Sequence, residues 1–118
     1  MSRMTSGEPL DPLTAGTFRD NLDSRFRLAA GPGPDGSAIT LDLRLAEVTE
    51  HGTASAAFRA PFSLVFHGPL MPVLPQAIYQ FEHDELGVLG LFIVPIGPAE
   101  PAEPGAQPSA MRYEVVFG

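Results

Sequence analysis

Hydrophobic and polar residues alternate along several short stretches of this chain, and this alternation predicts β-strands with one face on a core. The clearest run is residues 39–45, where isoleucine and leucine occupy every second position and polar residues lie between them. A period of two places alternate side chains on one face of a strand, so the run predicts a half-buried strand. The alternation shifts near Ala46, because Val48 is apolar on the opposite parity, and the shift predicts a β-bulge.

Similar patterns predict five further strands, at residues 24–29, 62–66, 77–83, 88–96 and 111–117. The third and fourth of these are joined by an acidic, glycine-containing turn, which favours a β-hairpin. The run 88–96 is apolar on both parities, which is typical of a strand that is central in a barrel or sandwich, or that lies at an interface. Before the strands, Thr14 is a candidate N-cap for a short helix within residues 12–22.

These elements predict an all-β fold, mainly antiparallel, in the form of a small barrel or sandwich of about six strands with a short N-terminal helix. A length of 118 residues fits one domain. We expect residues 1–11 to form a flexible N-terminal tail and residues 12–118 to form the single β domain. Residues 31–36, rich in glycine and proline, predict a loop. Residues 98–109 predict a flexible proline-rich loop, because they hold too little apolar area to offset their ordering entropy.

Charge and composition exclude several kinds of partner and chemistry. The chain is acidic, with a formal net charge of −7, so we expect no nucleic-acid partner, which would need a basic surface. It has no cysteine, which excludes a disulfide framework and thiolate chemistry. No stretch approaches the roughly 18 apolar residues of a membrane helix, and the N-terminus lacks the apolar core of a signal peptide. We therefore expect a soluble cytoplasmic protein that does not bind membranes.

Catalytic motifs are not apparent in this sequence. The chain has no Gly-x-Ser-x-Gly elbow, and its Gly/Pro-rich segment lacks the amides and lysine of a phosphate-binding loop. Ser63 and His67 share one face of a predicted strand, but a spacing of four residues separates them by about 13 Å. They cannot form a direct nucleophile–base pair. We therefore predict no catalytic residues, no metal ligand set and no cofactor.

The segment from Gly68 to Pro75 is the first candidate for binding. It contains three prolines and four large apolar residues, Leu70, Met71, Val73 and Leu74. Exposed apolar residues in such a connector would mark a partner site, whereas residues folded inward would plug one end of the core. On the first interpretation these four residues bind a protein partner or a second copy of the chain. The corresponding function is a non-enzymatic structural or protein-interaction module.

A second candidate centres on the most polar cluster of the chain, residues 82–85. Here Tyr79, His83 and Glu85 would line the pocket of a barrel that binds a small ligand or a metal ion, since an oxygen-rich site with one imidazole can hold a divalent cation. The alternative is that residues 82–87 form a hairpin turn whose acidic side chains are solvated or bond the local backbone. Spacing alone leaves both interpretations open.

Six motifs in the second half of the chain resemble, in their order, a bacterial single-domain family of unknown function. They are Phe62-x-Leu-x-Phe-x-Gly-Pro69, Leu74-Pro-Gln76, Tyr79-x-Phe-x-His83, Leu86-Gly87, Phe92-x-Val-Pro-Ile-Gly97 and Met111-x-Tyr-Glu-x-x-Phe117. The resemblance implies a single small β domain and brings no activity with it. It also implies an association with phage-tail-like or surface-appendage proteins, which relatives accompany in bacterial genomes. This chain departs from the family pattern in its longer proline-rich loop before Met111.

Overall fold

The computed structural model describes residues 14–32, 38–52, 61–101 and 103–117. These residues form one helix and six strands: α1 (Ala15–Arg19), β1 (Arg25–Pro32), β2 (Ala38–Glu50), β3 (Phe62–Gly68), β4 (Ala77–His83), β5 (Gly87–Pro98) and β6 (Met111–Phe117). The strands pair in antiparallel fashion into a closed barrel of order β1-β2-β3-β6-β5-β4. The predicted fold class is confirmed, with the barrel as the form it takes. The predicted tail, residues 1–11, lies outside the described residues.

The two longest strands, β2 and β5, each pair with one neighbour along their first part and with the other neighbour along their second part. The first part of β2 pairs with β1 and its second part pairs with β3, and the register shifts between Leu45 and Glu47. This shift is the bulge predicted at Ala46, and it lets Val48 continue the inward apolar row that Leu45 leaves. Likewise, β5 pairs with β4 over Gly87–Ile93 and with β6 from Val94 onward.

Aromatic side chains fill the middle of the barrel. Phe26, Phe66 and Phe81 are fully buried, and the ring of Phe66 lies 5.1 Å from that of Phe26 and 5.4 Å from that of Phe81, between centroids. Each occupies an inward position of an alternating strand, so the period of two in the sequence directs them to one core. Tilted and edge-on rings at such distances stabilise a core beyond the area they bury.

The helix closes one end of the barrel. Phe18 of α1 is buried against the rings of Phe62 and Phe117, at centroid distances of 5.9 and 5.5 Å. The predicted N-cap is confirmed, because the Thr14 side chain accepts a hydrogen bond from the backbone N–H of Thr17. The helix spans only five residues of the predicted range 12–22, and it gives way to a turn before Asp23, which has a positive φ of 67°.

The connecting segments differ in part from the prediction. The loop predicted at residues 31–36 begins later, because β1 continues to Pro32, which pairs with Ala38; residues 33–37 lie outside the described residues. In the proline-rich segment, Pro98 is the last residue of β5, and a hydrogen bond from Ala99 N to Ala110 O joins the two ends. The flexibility of that segment stays a prediction. Within the described ranges, no helix is long and apolar enough to span a membrane.

Candidate functional site

The segment between β3 and β4 crosses one end of the barrel, because β6 and β5 lie between these two strands in the barrel order. We call residues 69–76 the crossing loop. Leu74 points into the core with 5% of its surface exposed, whereas Met71 and Val73 are 77% and 42% exposed, and Leu70 is half-buried. The four residues predicted to bind a partner are therefore divided: one plugs the barrel, and two stand in solvent.

Two tyrosines hold the crossing loop at adjacent residues. The backbone N–H of Leu74 donates to Tyr113 Oη at 2.9 Å, and Tyr79 Oη donates to the carbonyl of Pro75 at 2.8 Å. Burial, and secondarily the nearby Tyr113, raises the pKa of Tyr79, so this phenol stays protonated and able to donate. Tyr79, which the sequence suggested as a ligand contact, is thus placed to anchor the loop.

Replacing Tyr113 with phenylalanine should lower the free energy of unfolding by about 1–2 kcal/mol, because it leaves the buried N–H of Leu74 without an acceptor. Urea unfolding and hydrogen exchange at the Leu74 amide measure the effect. Tyr79→Phe is the matched control and should cost less, since its partner, the Pro75 carbonyl, lies at an exposed site where water can replace the phenol. Unchanged stability and unchanged exchange in Tyr113→Phe would show that this bond does not hold the loop.

His83 ends β4 and fastens the hairpin turn that follows. Its Nδ1 accepts hydrogen bonds from the backbone N–H groups of Glu85 and Leu86, at 3.0 and 3.2 Å, and its Nε2 lies 2.9 Å from Ser24 Oγ. The ring is buried and packs on Phe26 at a centroid distance of 4.4 Å. Both ring nitrogens are therefore engaged, and Nδ1 acts as an acceptor. This geometry fits the hairpin-turn interpretation of residues 82–87.

A surface hollow of about 340 Å³ lies beside this turn, lined by Ser24, Arg25, Arg27, His83, Asp84 and Glu85. It brings together two of the three predicted ligand contacts. The third, Tyr79, lies four residues before His83 on β4, about 13 Å away by the rise of a strand. Its hydroxyl group donates a hydrogen bond to the crossing loop. Among the described residues, no group of three or more His, Asp or Glu side chains is placed to hold a metal ion.

A larger cleft of about 500 Å³ opens where β2 leaves β1 for β3. Arg44 there contacts Asp23 at 2.7 Å and donates to His67 Nδ1 at 3.3 Å, and Arg25 lies 3.7 Å from Asp42. Burial, followed by the Arg44 charge, lowers the pKa of His67, which favours the neutral ring that accepts this bond. Since these ion pairs are exposed and mutually balanced, they contribute little to stability and leave the cleft without a dominant charge.

Ser63 has a histidine partner other than the one its sequence spacing suggested. His51 Nε2 lies 2.8 Å from Ser63 Oγ, and Ser63 is buried. A working nucleophile also needs a group that orients the base and donors that stabilise an oxyanion. In the part of the chain that the structure describes, no carboxylate bonds the other ring nitrogen of His51. The contact depends on how the end of β2 meets the start of β3, which residue spacing does not reveal.

The outer face of β5 is apolar and exposed. Apolar residues at both odd and even positions of the run 88–96 predicted two apolar faces, but not that one of them would be exposed. Val88 and Phe92 are 57% and 49% exposed, and Ile78 of β4, which pairs with Phe92, is also exposed. A strand that is apolar on both parities was expected either to be covered on both faces or to lie at an interface. The strand lies between β4 and β6 in the barrel, as the first alternative predicted, but over the described residues only its inward face is covered.

No curated protein and no solved structure matches the chain. One family model does match, over residues 13–117, and its description is Domain of unknown function (DUF6916). The matched range includes the helix and all six strands of the barrel, so the unit that the family describes is the domain seen here. It also includes the six motifs that carried the resemblance to a family of unknown function. The chain therefore belongs to this family, DUF6916.

Proposed function

We propose that this protein is a non-enzymatic structural or protein-interaction module that presents the crossing loop to a protein partner within a larger assembly, such as a phage-tail-like particle. The observation that carries the proposal is the exposure of Met71 and Val73 on the crossing loop. The two residues that follow Val73, Leu74 and Pro75, are hydrogen-bonded to tyrosines of the barrel. Exposed apolar residues on a fixed support are typical of partner sites.

The two halves of the loop have different roles in this proposal. Leu74 and Pro75 hold the backbone in place, so little conformational entropy remains to be lost when a partner binds. Met71 and Val73 supply the contact area, and the flexible thioether of Met71 can adapt to an irregular partner surface. Leu74 contributes by supporting the loop, because its side chain is buried in the core.

The proposal is tested with a tagged chain in an extract of the organism that encodes it. We expect a stoichiometric partner to be captured by the wild type and to be lost from the double variant Met71→Ser/Val73→Ser. Val116→Ser is the matched control, because Val116 is equally apolar and exposed but lies on β6, outside the crossing loop. Circular dichroism verifies that all three chains fold alike. A partner retained by the loop variant, or no stoichiometric partner at all, would contradict the proposal.

A second function, binding of a small ligand, is supported by the hollow beside His83 and Glu85. The hollow contains guanidinium and carboxylate groups together, with Arg27 3.1 Å from Asp84, so it suits a small zwitterion better than an ion of one charge. A thermal-shift screen with free amino acids and divalent cations tests it, since a ligand that binds only the folded state raises the melting temperature. A shift that Arg27→Gln abolishes supports this function, and a screen without shifts contradicts it.

A further inference from the structure

A second segment leaves the barrel at the same end as the crossing loop. In the ladders, Gly68 at the end of β3 pairs with Met111 at the start of β6, and Met111 in turn pairs with Pro98 at the end of β5. Paired strands lie about 5 Å apart, so the segment that joins β5 to β6 leaves the barrel beside the crossing loop. We call this segment, residues 99–110, the proline arm.

The crossing loop and the proline arm also border one recess. Pro69 of the crossing loop and Ser109 of the arm both line the cleft of about 500 Å³ that opens where β2 leaves β1. The register of the ladders and the lining of this cleft are separate observations, and both place the two segments next to each other. A partner that covers the exposed side chains of the crossing loop therefore comes within reach of the arm.

The proline arm is held at its base and at its tip. At the base, the N–H of Ala99 donates to the carbonyl of Ala110 at 2.8 Å. At the tip, a hydrogen bond of 3.1 Å from Ala106 N to Glu103 O closes a turn in which Gly105 has a φ of 85° and follows a proline, the pattern of a type II turn. The three prolines of the arm also restrict the backbone at their own and at the preceding residues. Much of the arm's backbone is therefore fixed before a partner binds, which lowers the entropy cost of binding.

The charges of the two segments are all of one sign. From Gly68 to Phe81 the sequence has no charged residue, and from Leu86 to Ala110 its charged residues are Glu100 and Glu103 alone. Both glutamates are exposed. Over the described ranges neither takes part in an ion pair, unlike the carboxylates that face arginines elsewhere in the domain. The crossing loop and the arm together thus present exposed apolar side chains beside negative charge, with no positive charge of their own.

We propose that the crossing loop and the proline arm form one docking surface, and that its occupant is a protein whose apolar patch is bordered by lysine or arginine side chains. Met71 and Val73 pack on the apolar patch, and Glu100 and Glu103 face the basic border. The sign of the border follows from charge complementarity, because like charges brought together across an interface oppose association. The inference rests on the proposed function for the existence of a partner, and it adds the chemistry of that partner and a second contact.

Charge variants of the full chain, used as tagged bait in the same extract, test the inference. Glu100→Lys/Glu103→Lys should lower the amount of captured partner about tenfold or more, because it sets lysines against a basic border. Glu100→Gln/Glu103→Gln should lower it less and should make capture less sensitive to sodium chloride, since salt screens the charges that this variant lacks. Circular dichroism verifies that the variants fold like the wild type.

Asp20→Lys/Glu85→Lys is the matched control for the charge reversal. It replaces two exposed carboxylates with two lysines, so the net charge of the chain changes by the same amount. Asp20 caps the end of α1, and Glu85 lies in the turn between β4 and β5, so both are remote from the crossing loop. We expect this variant to capture the partner as the wild type does.

Carbodiimide coupling of carboxylates to amines, followed by peptide mass spectrometry, locates the contact. The basic residues of this chain are all arginine, so a lysine coupled to Glu100 or Glu103 must belong to another protein. A second copy of the chain could react only through its terminal amino group. We expect an adduct between the arm and a lysine of the captured partner, and an adduct with the terminal amino group of a second copy would contradict the inference.

Other results would also overturn the inference: equal capture by the wild type and by Glu100→Lys/Glu103→Lys, an equal loss in the control variant, or partner adducts at Glu85 in place of the arm. Its failure is distinguishable from that of the proposed function. A partner that is lost from Met71→Ser/Val73→Ser but kept by the charge-reversed variant contradicts this inference alone. A partner that shows the opposite dependence contradicts the proposed function and keeps the arm as the contact, and the absence of any partner contradicts both.

Discussion

Replacing Gly68 with alanine is expected to lower the free energy of unfolding by about 1–3 kcal/mol, one of the two largest single effects that we predict. Gly68 is the last residue of β3 and is buried, and a Cβ placed on it would overlap Leu43 Cδ2. Leu43 is itself buried in the core, so its side chain has little room to rotate away. Urea unfolding of Gly68→Ala against the wild type measures the loss.

Leu43→Val supplies the control for this prediction, because valine lacks the Cδ2 atom that the new methyl group would meet. In a double-mutant cycle, Gly68→Ala should cost much less in the Leu43→Val background than in the wild type, with a coupling of about 1–2 kcal/mol. Equal costs in both backgrounds would mean that the methyl group at residue 68 is accommodated elsewhere, and that β3 does not need glycine to pack on β2.

The strands themselves could be predicted from the sequence, because the buried face of a strand places an apolar residue at every second position. Leu43 and Leu45 fall on one parity and Val48 on the other, and this change of parity predicts the bulge at Ala46, where the register of the ladder shifts. The hydrogen bond at the start of the helix could also be predicted, since Thr14 has the side chain and the position of an N-cap. These features depend on residues close together in sequence, and for that reason the pattern reveals them.

The neighbours of a side chain across the barrel could not be predicted in the same way. Tyr113 and Leu74 are 39 positions apart, and they meet because β6 lies between β3 and β4 in the barrel order. Spacing within β3 relates Ser63 to His67, whereas the histidine that contacts Ser63 is His51, which follows the last residue of β2. The period of two predicts which face of a strand a residue occupies, but it does not predict which other strand lies beside that residue.

The candidate binding residues illustrate the same limit. Four apolar residues in one proline-rich segment predicted either a partner site or a plug, and the structure divides them, with Leu74 inside and Met71 outside. The positions of these residues, inside or outside the barrel, depend on Tyr113 and Tyr79. These tyrosines belong to other strands and hold Leu74 and Pro75 in place through hydrogen bonds. For β5, parity predicted two apolar faces, whereas the change of ladder partner between Ile93 and Val94 followed only from the register of the ladders.

Replacing Phe18 with alanine should lower the free energy of unfolding by about 3–5 kcal/mol, because it removes a fully buried ring and leaves a cavity between Phe62 and Phe117. The five-residue helix is too short to be stable alone, so this packing is what holds it across the end of the barrel. A loss of this size is a large fraction of the 5–15 kcal/mol typical of a whole domain, and the variant should melt at a markedly lower temperature. Urea and thermal unfolding, followed by circular dichroism, measure the effect.

Leu22→Ala is the matched control for Phe18→Ala, because Leu22 follows the same helix but is 41% exposed and should cost less than about 1 kcal/mol. The comparison decides whether α1 is part of the cooperative fold. If Phe18→Ala costs no more than Leu22→Ala, the helix opens separately and the barrel is stable without it. If the larger loss is found, the end of the barrel opposite the crossing loop is closed by a few side chains of α1, and the strands alone do not complete the core.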